Sequence, residues 1–216
     1  MTMAEIITSA KRRLRGFGNI TWGETELLEF ANEGYQRFAI YSKCLRKSGT
    51  VAIVADTATF SLPTDLLELK RATWDDVALK VRTTEFMDSM VGGNWREAEG
   101  TAIQCLIQDS EGQNSIRIYP IINDSDYNDN LTVEYVYLPA AISTTSESPS
   151  IPVQYHLALI EYILYMCQDV EVQSQKNPVS SNIHYQRFMM DVRRAKSDVS
   201  AGYGARFNRQ VIPPVV

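Results

Sequence analysis

In this 216-residue chain, the residues whose types could do chemistry are two histidines, three cysteines and several closely spaced carboxylates. His156 and His184 each stand on a predicted helix near a tyrosine, twenty-eight positions apart. A zinc site on helices needs an HExxH pair or paired cysteines. Neither occurs, so both read as surface or satisfied core histidines. Asp75 and Asp76 follow Trp74, and paired acids beside an aromatic platform could serve glycoside hydrolysis, with Glu68 as a third candidate. That chemistry requires two carboxyl groups about 5 to 9 Å apart across a cleft; adjacent acids at a strand end read more simply as solvated. In "DSDYND", Asp124, Asp126 and Asn128 hold positions one, three and five of a calcium loop. Asp129 stands where that loop needs glycine and Tyr135 where it needs glutamate, so an acidic β-turn is expected. Cys44, Cys105 and Cys167 are odd in number and far apart, and read as buried free thiols. No nucleophile elbow, phosphate loop or dinucleotide fingerprint occurs, and "GFG" at 16–18 and "GYG" at 202–204 read as hinges. The expectation is a chain with no catalytic residue, no metal and no cofactor.

At 44% hydrophobic the chain can bury a real core. No apolar run approaches the ~18 residues of a membrane span, and the N-terminus puts its basic cluster after its apolar residues, the reverse of a signal peptide. A protein that stays in the cytosol of the cell that makes it is expected. Charge is unevenly shared. Residues 51–150 carry sixteen acidic and six basic side chains, residues 1–50 five against eight, and residues 151–216 five against seven. So acidic a middle argues against a protein that grips nucleic acid over its whole surface. "KRRLR" at 11–15 reads as complementation of a helix dipole.

The elements change period twice along the chain. Met3 to Leu14 sets Ile6, Ile7, Ala10 and Leu14 at helical spacing. Thr21 and Glu24 form a capping-box pattern, with Ile20 as a staple, before a long amphipathic helix carrying Leu27, Ala31, Tyr35, Phe38 and Ser42 on one line. From Gly49 the pattern alternates. It predicts an antiparallel sheet with a hairpin through "SEGQN", a short helix at "TEFMDSM", and a strand placing Leu131, Val133, Tyr135 and Tyr137 on one side. Trp74 is expected in the core of this region, and Trp95, beside two glycines, is equally suited to core and surface. "AAISTTSESPS" reads as a linker. Pro152 then opens a helix with a Leu159, Ile163, Met166 and Val170 seam, and a last helix, capped by Ser180 or Ser181, repeats Ile183, Phe188, Val192, Ala195 and Val199 before stopping near Gly202.

The expected fold class is therefore α+β: a helical bundle of residues 1–45 with 151–202, an inserted antiparallel β domain at 46–150, and an extended C-terminal arm at 203–216. The arm mixes Tyr203, Arg206, Phe207, Arg209, Val211, Ile212, Pro213 and Pro214, too apolar for water and too short to fold alone. Such a segment docks on another subunit, by edge-strand pairing or in an apolar groove, or else is a disordered terminus.

A capped helix with Trp22, Glu26, Leu27, Leu28 and Asn32 leads, through Leu62, Pro63 and Leu66, into the β region. A C-terminal helix pair then carries Pro152, His156, Leu159, Tyr162, Tyr185 and Phe188. This arrangement resembles the head-to-tail adaptor, or connector, proteins of tailed bacteriophages, the tail tubular A group nearest among them. The resemblance implies a structural, non-enzymatic virion protein at the head–tail junction. It implies a homo-oligomeric, typically dodecameric, ring beneath the portal protein that contacts tail nozzle or tube proteins, engages the portal through its C-terminal arm and lets double-stranded DNA pass without specific binding. Two other classes fit the residues: a virion-associated hydrolase of cell-wall glycan using Asp75, Asp76 or Glu68, and a β-type binding module, with Trp74 and Trp95 as binders, on a helical oligomerisation base.

Overall fold

The computed structural model describes residues 1–14, 22–108, 114–123, 128–174 and 179–207. Its helices are α1 (Met3–Leu14), α2 (Glu24–Ser42), α3 (Thr84–Met90), α4 (His156–Ser174) and α5 (Val179–Phe207). Its strands are β1 (Arg46–Val54), β2 (Thr59–Ser61), β3 (Leu66–Trp74), β4 (Val77–Thr83), β5 (Glu99–Gly100), β6 (Cys105–Gln108), β7 (Ser115–Tyr119), β8 (Ile121–Ile122) and β9 (Asn128–Tyr137). The chain divides into two compact units, one formed by Met1–Leu45 with the chain from Leu138 onward, the other by Arg46–Tyr137.

In the helical unit, α1 buries Met3, Ile6, Ile7, Ala10 and Leu14 on one face. Its start is a reciprocal cap: Thr2 N–H donates to Glu5 Oε2 at 3.0 Å and Glu5 N–H donates to Thr2 Oγ1 at 3.3 Å. The cap of α2 falls two residues later than the sequence pattern suggests. Glu26, not Glu24, reaches back to the Gly23 N–H at 2.9 Å, while Thr21 and Ile20 lie outside the described residues. At its other end Lys43 takes the left-handed conformation and returns its N–H to Ala39 O.

Helix α4 is the centre of this unit, with α1, α2 and α5 all packed on it. Ala158 to Leu164 are seven consecutive buried residues, so α4 is enclosed nearly all round. Of the expected seam Leu159 and Ile163 are buried but Met166 only half so, and the Val170 side chain lies outside the described set; Tyr155, Tyr162 and Cys167, expected beside it, are buried. Helix α5 departs from expectation at both ends. It begins at Val179, which places Ser180 and Ser181 inside it, and runs through Gly202 and Gly204 to Phe207. Each glycine costs a helix only about 1 kcal/mol, too little to force a stop. Phe188, Val192 and Ala195 are its buried seam, while Ile183, expected on that line, is 46% exposed.

The segment read as a Ser/Thr linker is strapped to the helical unit. Asn32 acts as a strand partner in miniature, donating from Nδ2 to Ile142 O at 2.9 Å and accepting the Ile142 N–H at 2.8 Å. Met3 and Ala4 N–H donate to Glu147 O and Thr145 O, and Tyr35 Oη accepts the Ser150 N–H at 3.0 Å.

The β unit is a seven-stranded sheet in the order β1-β9-β3-β4-β6-β7-β2. Laid flat, its edge strands would stand about 29 Å apart. Residues 55–58, which join β1 to β2, can span only about 18 Å. The sheet must therefore curl, and Ile53, Ala72, Leu106, Ile116, Leu131 and Val133 fill its inner face. The pairing is not wholly antiparallel as expected: β4 runs parallel to β6, and β5 to β8. Parallel neighbours need a crossover, and residues 84–104, which carry α3, supply it.

Candidate functional site

The sequence places function on the arm at 203–216, which follows from the C-terminal helix α5, and one buried carboxylate fixes that helix to the bundle. Glu161, in the middle of α4, has a side chain only 12% exposed. Arg13 at the end of α1 donates from Nη1 to Glu161 Oε1 at 2.6 Å. His184, one turn into α5, sits with Nδ1 2.7 Å from Oε2; a carboxylate only accepts, so Nδ1 carries the proton. Arg187 adds a longer contact at 3.7 Å. Three helices thus meet at one acid. Asp191, one turn further along α5, has its carboxyl pushed above the usual range by burial and by the nearby Glu161 charge, with Arg194 opposing.

An aromatic cluster locks the same helices. Tyr162 is fully buried with its ring 4.9 Å from Phe188, and Phe188 also meets Phe38 of α2 edge to face at 6.0 Å. Tyr165 and Tyr185 continue the cluster at 5.0 Å. The Tyr162 hydroxyl donates to Glu33 at 2.9 Å, and burial together with Glu33 drives that phenol far above its ordinary pKa. Glu33 also pairs with Arg37 at 2.7 Å. Toward the start of α4, the Tyr155 hydroxyl donates to Asp198 of α5. From Asp198 to Phe207 the helix runs on for nine residues, about 13 Å.

The residues expected in an extended arm divide between these two situations. Tyr203, Arg206 and Phe207 lie on helical backbone at the end of α5, which corrects that expectation for them. Arg209, Val211, Ile212, Pro213 and Pro214 lie outside the described residues. Sequence reading missed Glu161 altogether. Its signal was there: a lone acid inside "LALIEYILYM", where an uncompensated charge could not be buried.

The other candidates resolve into structural roles. Asp75 and Asp76, both at positive φ (47° and 60°), are the two central residues of the β3–β4 hairpin turn, and both are exposed. Glu68 pairs with Lys70 at 2.5 Å. Trp74 packs on the main β core. Trp95 is 3% exposed in a second cluster with Met87 and Ile107, its indole N–H donating to Asp88 at 2.7 Å. His156 is buried, donating from Nε2 to Ile151 O at 2.9 Å; its Nδ1 makes no hydrogen bond. Cys44 and Cys105 are half-buried thiols pushed up by burial, and Cys167 is buried. Asp124 and Asp126 lie outside the described residues, and Asn128 is the first residue of β9. Among the described residues no group of His, Cys, Asp and Glu could hold a metal, and no helix is long and apolar enough to cross a membrane.

The buried and half-buried polar residues Glu161, His184, Tyr162 and Glu33 tie the helices of the bundle together. The family model described as SU10 adaptor protein matches residues 1–212, and the chain belongs to that family. It is a phage adaptor, a structural component of the virion. A search of curated proteins finds no match.

Proposed function

We propose that copies of this chain assemble into a ring beneath the portal, join it to tail nozzle or tube proteins and continue the DNA channel. The observation that carries the reading is membership of the adaptor family across residues 1–212. Copies related by rotation use head-to-tail contacts, which close into a ring when the rotation allows; twelve copies is the expected number. The portal-binding element is the end of α5 with the residues beyond it: Tyr203, Arg206, Phe207, Arg209, Val211, Ile212, Pro213 and Pro214. Anchoring of α5 by Glu161 and the Tyr162–Phe188 cluster supports this, because an element that carries load between proteins needs a rigid root. The β unit, with fifteen acidic against eight basic residues in 46–137, suits a surface that DNA slides past.

The test is the mass, by light scattering, of the full chain and of a chain ending at Ala201, each alone and mixed with its portal protein. The full chain is expected to form a stable complex with the portal and the shortened chain to lose it while keeping all its helix up to Ala201. Undiminished portal binding by the shortened chain would refute the arm's role.

A further inference from the structure

The two helices that flank α4 present outward stripes of opposite character; in each, one member also bonds inward, Glu33 to the Tyr162 hydroxyl and Arg187 to Glu161. On α2, Glu26, Glu29, Glu33, Gln36 and Ile40 recur at alternating spacings of three and four, so they share one face. That face lies opposite the buried Leu27, Ala31, Gly34 and Phe38. Glu26 and Glu29 are exposed, Ile40 is 40% exposed, and Glu33 is held half-exposed by Arg37 and the Tyr162 hydroxyl. On α5, Ile183, Arg187, Met190 and Arg194 follow the same spacing, on the side away from the buried Phe188, Val192 and Ala195. Ile183 is 46% and Met190 66% exposed, and both arginines are exposed.

The charges are complementary. Helix α2 carries four glutamates against one arginine, whereas α5 carries four arginines and a lysine against two aspartates. The α5 stripe sets Ile183 and Met190 among arginines and the α2 stripe sets Ile40 at the end of a row of glutamates, apolar groups flanked by charges of one sign that can choose the partner. Both helices pack on α4 within the same unit, so the two stripes are distinct patches with fixed positions on one body. We infer that the α2 stripe of one copy packs on the α5 stripe of the next, making the head-to-tail contact of the ring. Two unlike patches on one body give a heterologous contact, the kind that closes a ring instead of stopping at a dimer. This inference rests on the ring reading above and names the surface that reading requires.

The test uses the full chain, its assembly followed by light scattering and native mass, with circular dichroism as the check on folding. Glu29→Arg and Arg194→Glu, both at exposed positions, are each expected to weaken assembly at least tenfold at low salt. Met190→Asp and Ile40→Asp are expected to leave single protomers. An equimolar mixture of Glu29→Arg with Arg194→Glu restores opposite charges at every junction of an alternating ring, so its mass should return to the wild-type value. So should that of the chain carrying both changes. If the four variants assemble like wild type, the surface is wrong while the ring stands. If neither restored combination recovers what the folded single reversals lost, the pairing of α2 with α5 is wrong. A wild-type chain that stays a single protomer both alone and with its portal protein overturns the ring and this surface together.

Discussion

At the scale of single residues, the helical unit turns on a difference in burial between partners. Glu161 is nearly enclosed while the Arg13 side chain is 45% exposed. Removing the arginine leaves an acid that still has His184, and exposed pairs contribute little. Arg13→Ala should therefore cost under ~1 kcal/mol. Glu161→Ala strands His184 and leaves a void at the junction of three helices, and should cost about 3 kcal/mol in urea unfolding. Equal losses from the two changes would mean that the acid is not the buried partner. Asp191 gives a pH signature of opposite sense to an ordinary paired acid. Its folded-state pKa is raised, chiefly by burial, so the folded protein holds that proton more tightly than the unfolded chain. Stability from this group is present below the unfolded value of about 4 and declines as pH rises through the folded one. Asp191→Asn should thus stabilise the protein at about pH 7, by less than ~1 kcal/mol because the group is largely solvent-screened, and the gain should vanish near pH 3. Urea midpoints at the two pH values check this; a gain equal at both would remove the titration as its cause.

Among the elements, close approach and turn chemistry decide what can be changed. A Cβ on Gly34 would lie 2.7 Å from Tyr162 Cδ1 and 2.8 Å from Cγ, on a ring that is fully buried and hydrogen-bonded to Glu33. Alanine favours a helix over glycine by about 1 kcal/mol, but overpacking here costs about 1 to 3. Gly34→Ala should therefore lose about 1 kcal/mol net, and a gain in melting temperature would show that α2 can shift. The β3–β4 turn predicts the opposite outcome. Asp76 holds φ of 60° at an exposed turn position that glycine prefers, so Asp76→Gly should add about 0.5 kcal/mol. A melting curve that does not rise would count against the turn geometry. The same two places show what was legible in the sequence. Period alone located α1, α2 and β9, because Ile6 and Ile7, Leu27 and Ala31, and Leu131 and Val133 repeat at the spacing of their element. Pattern could not show that β4 changes neighbour midway, pairing Val77–Leu79 with β3 and Lys80–Thr83 with β6, since partner choice leaves no trace in one strand's alternation. Nor could it place the cap of α2, where Thr21 with Glu24 and Gly23 with Glu26 offer overlapping patterns and Glu26 accepts the Gly23 N–H. The candidate arm was read as extended although Tyr203, Arg206 and Phe207 continue α5, and the anchor of that helix was not legible, because Arg13, Glu161 and His184 are far apart in sequence and gathered only by folding.

At the scale of the whole molecule, the entry and exit of the β unit are neighbours. Arg46 opens β1 directly opposite Val136, the penultimate residue of β9. Antiparallel partners stand about 5 Å apart, so the helical unit loses little chain geometry if the sheet is cut out. The β core draws its side chains from β1, β2, β3, β6, β7, β8 and β9, all inside Arg46–Tyr137. The α4 core draws on α1, α2 and α5. Each unit therefore holds the contacts that stabilise it, and a fragment of residues 46–137 should melt in one cooperative transition. Joining Leu45 to Leu138 through a linker of about four glycines and serines, long enough for that gap, should leave a helical protein with the Glu161 junction intact. On the proposed reading, this shortened protein keeps its assembly and its portal binding, since α2, α5 and the residues beyond it remain, and loses the acidic surface and any tail contact made through the sheet. Mass measurements with portal and with tail proteins separate the two activities. Loss of portal binding by a shortened protein that still shows full helical content would mean that the sheet, not the C-terminal helix, faces the portal.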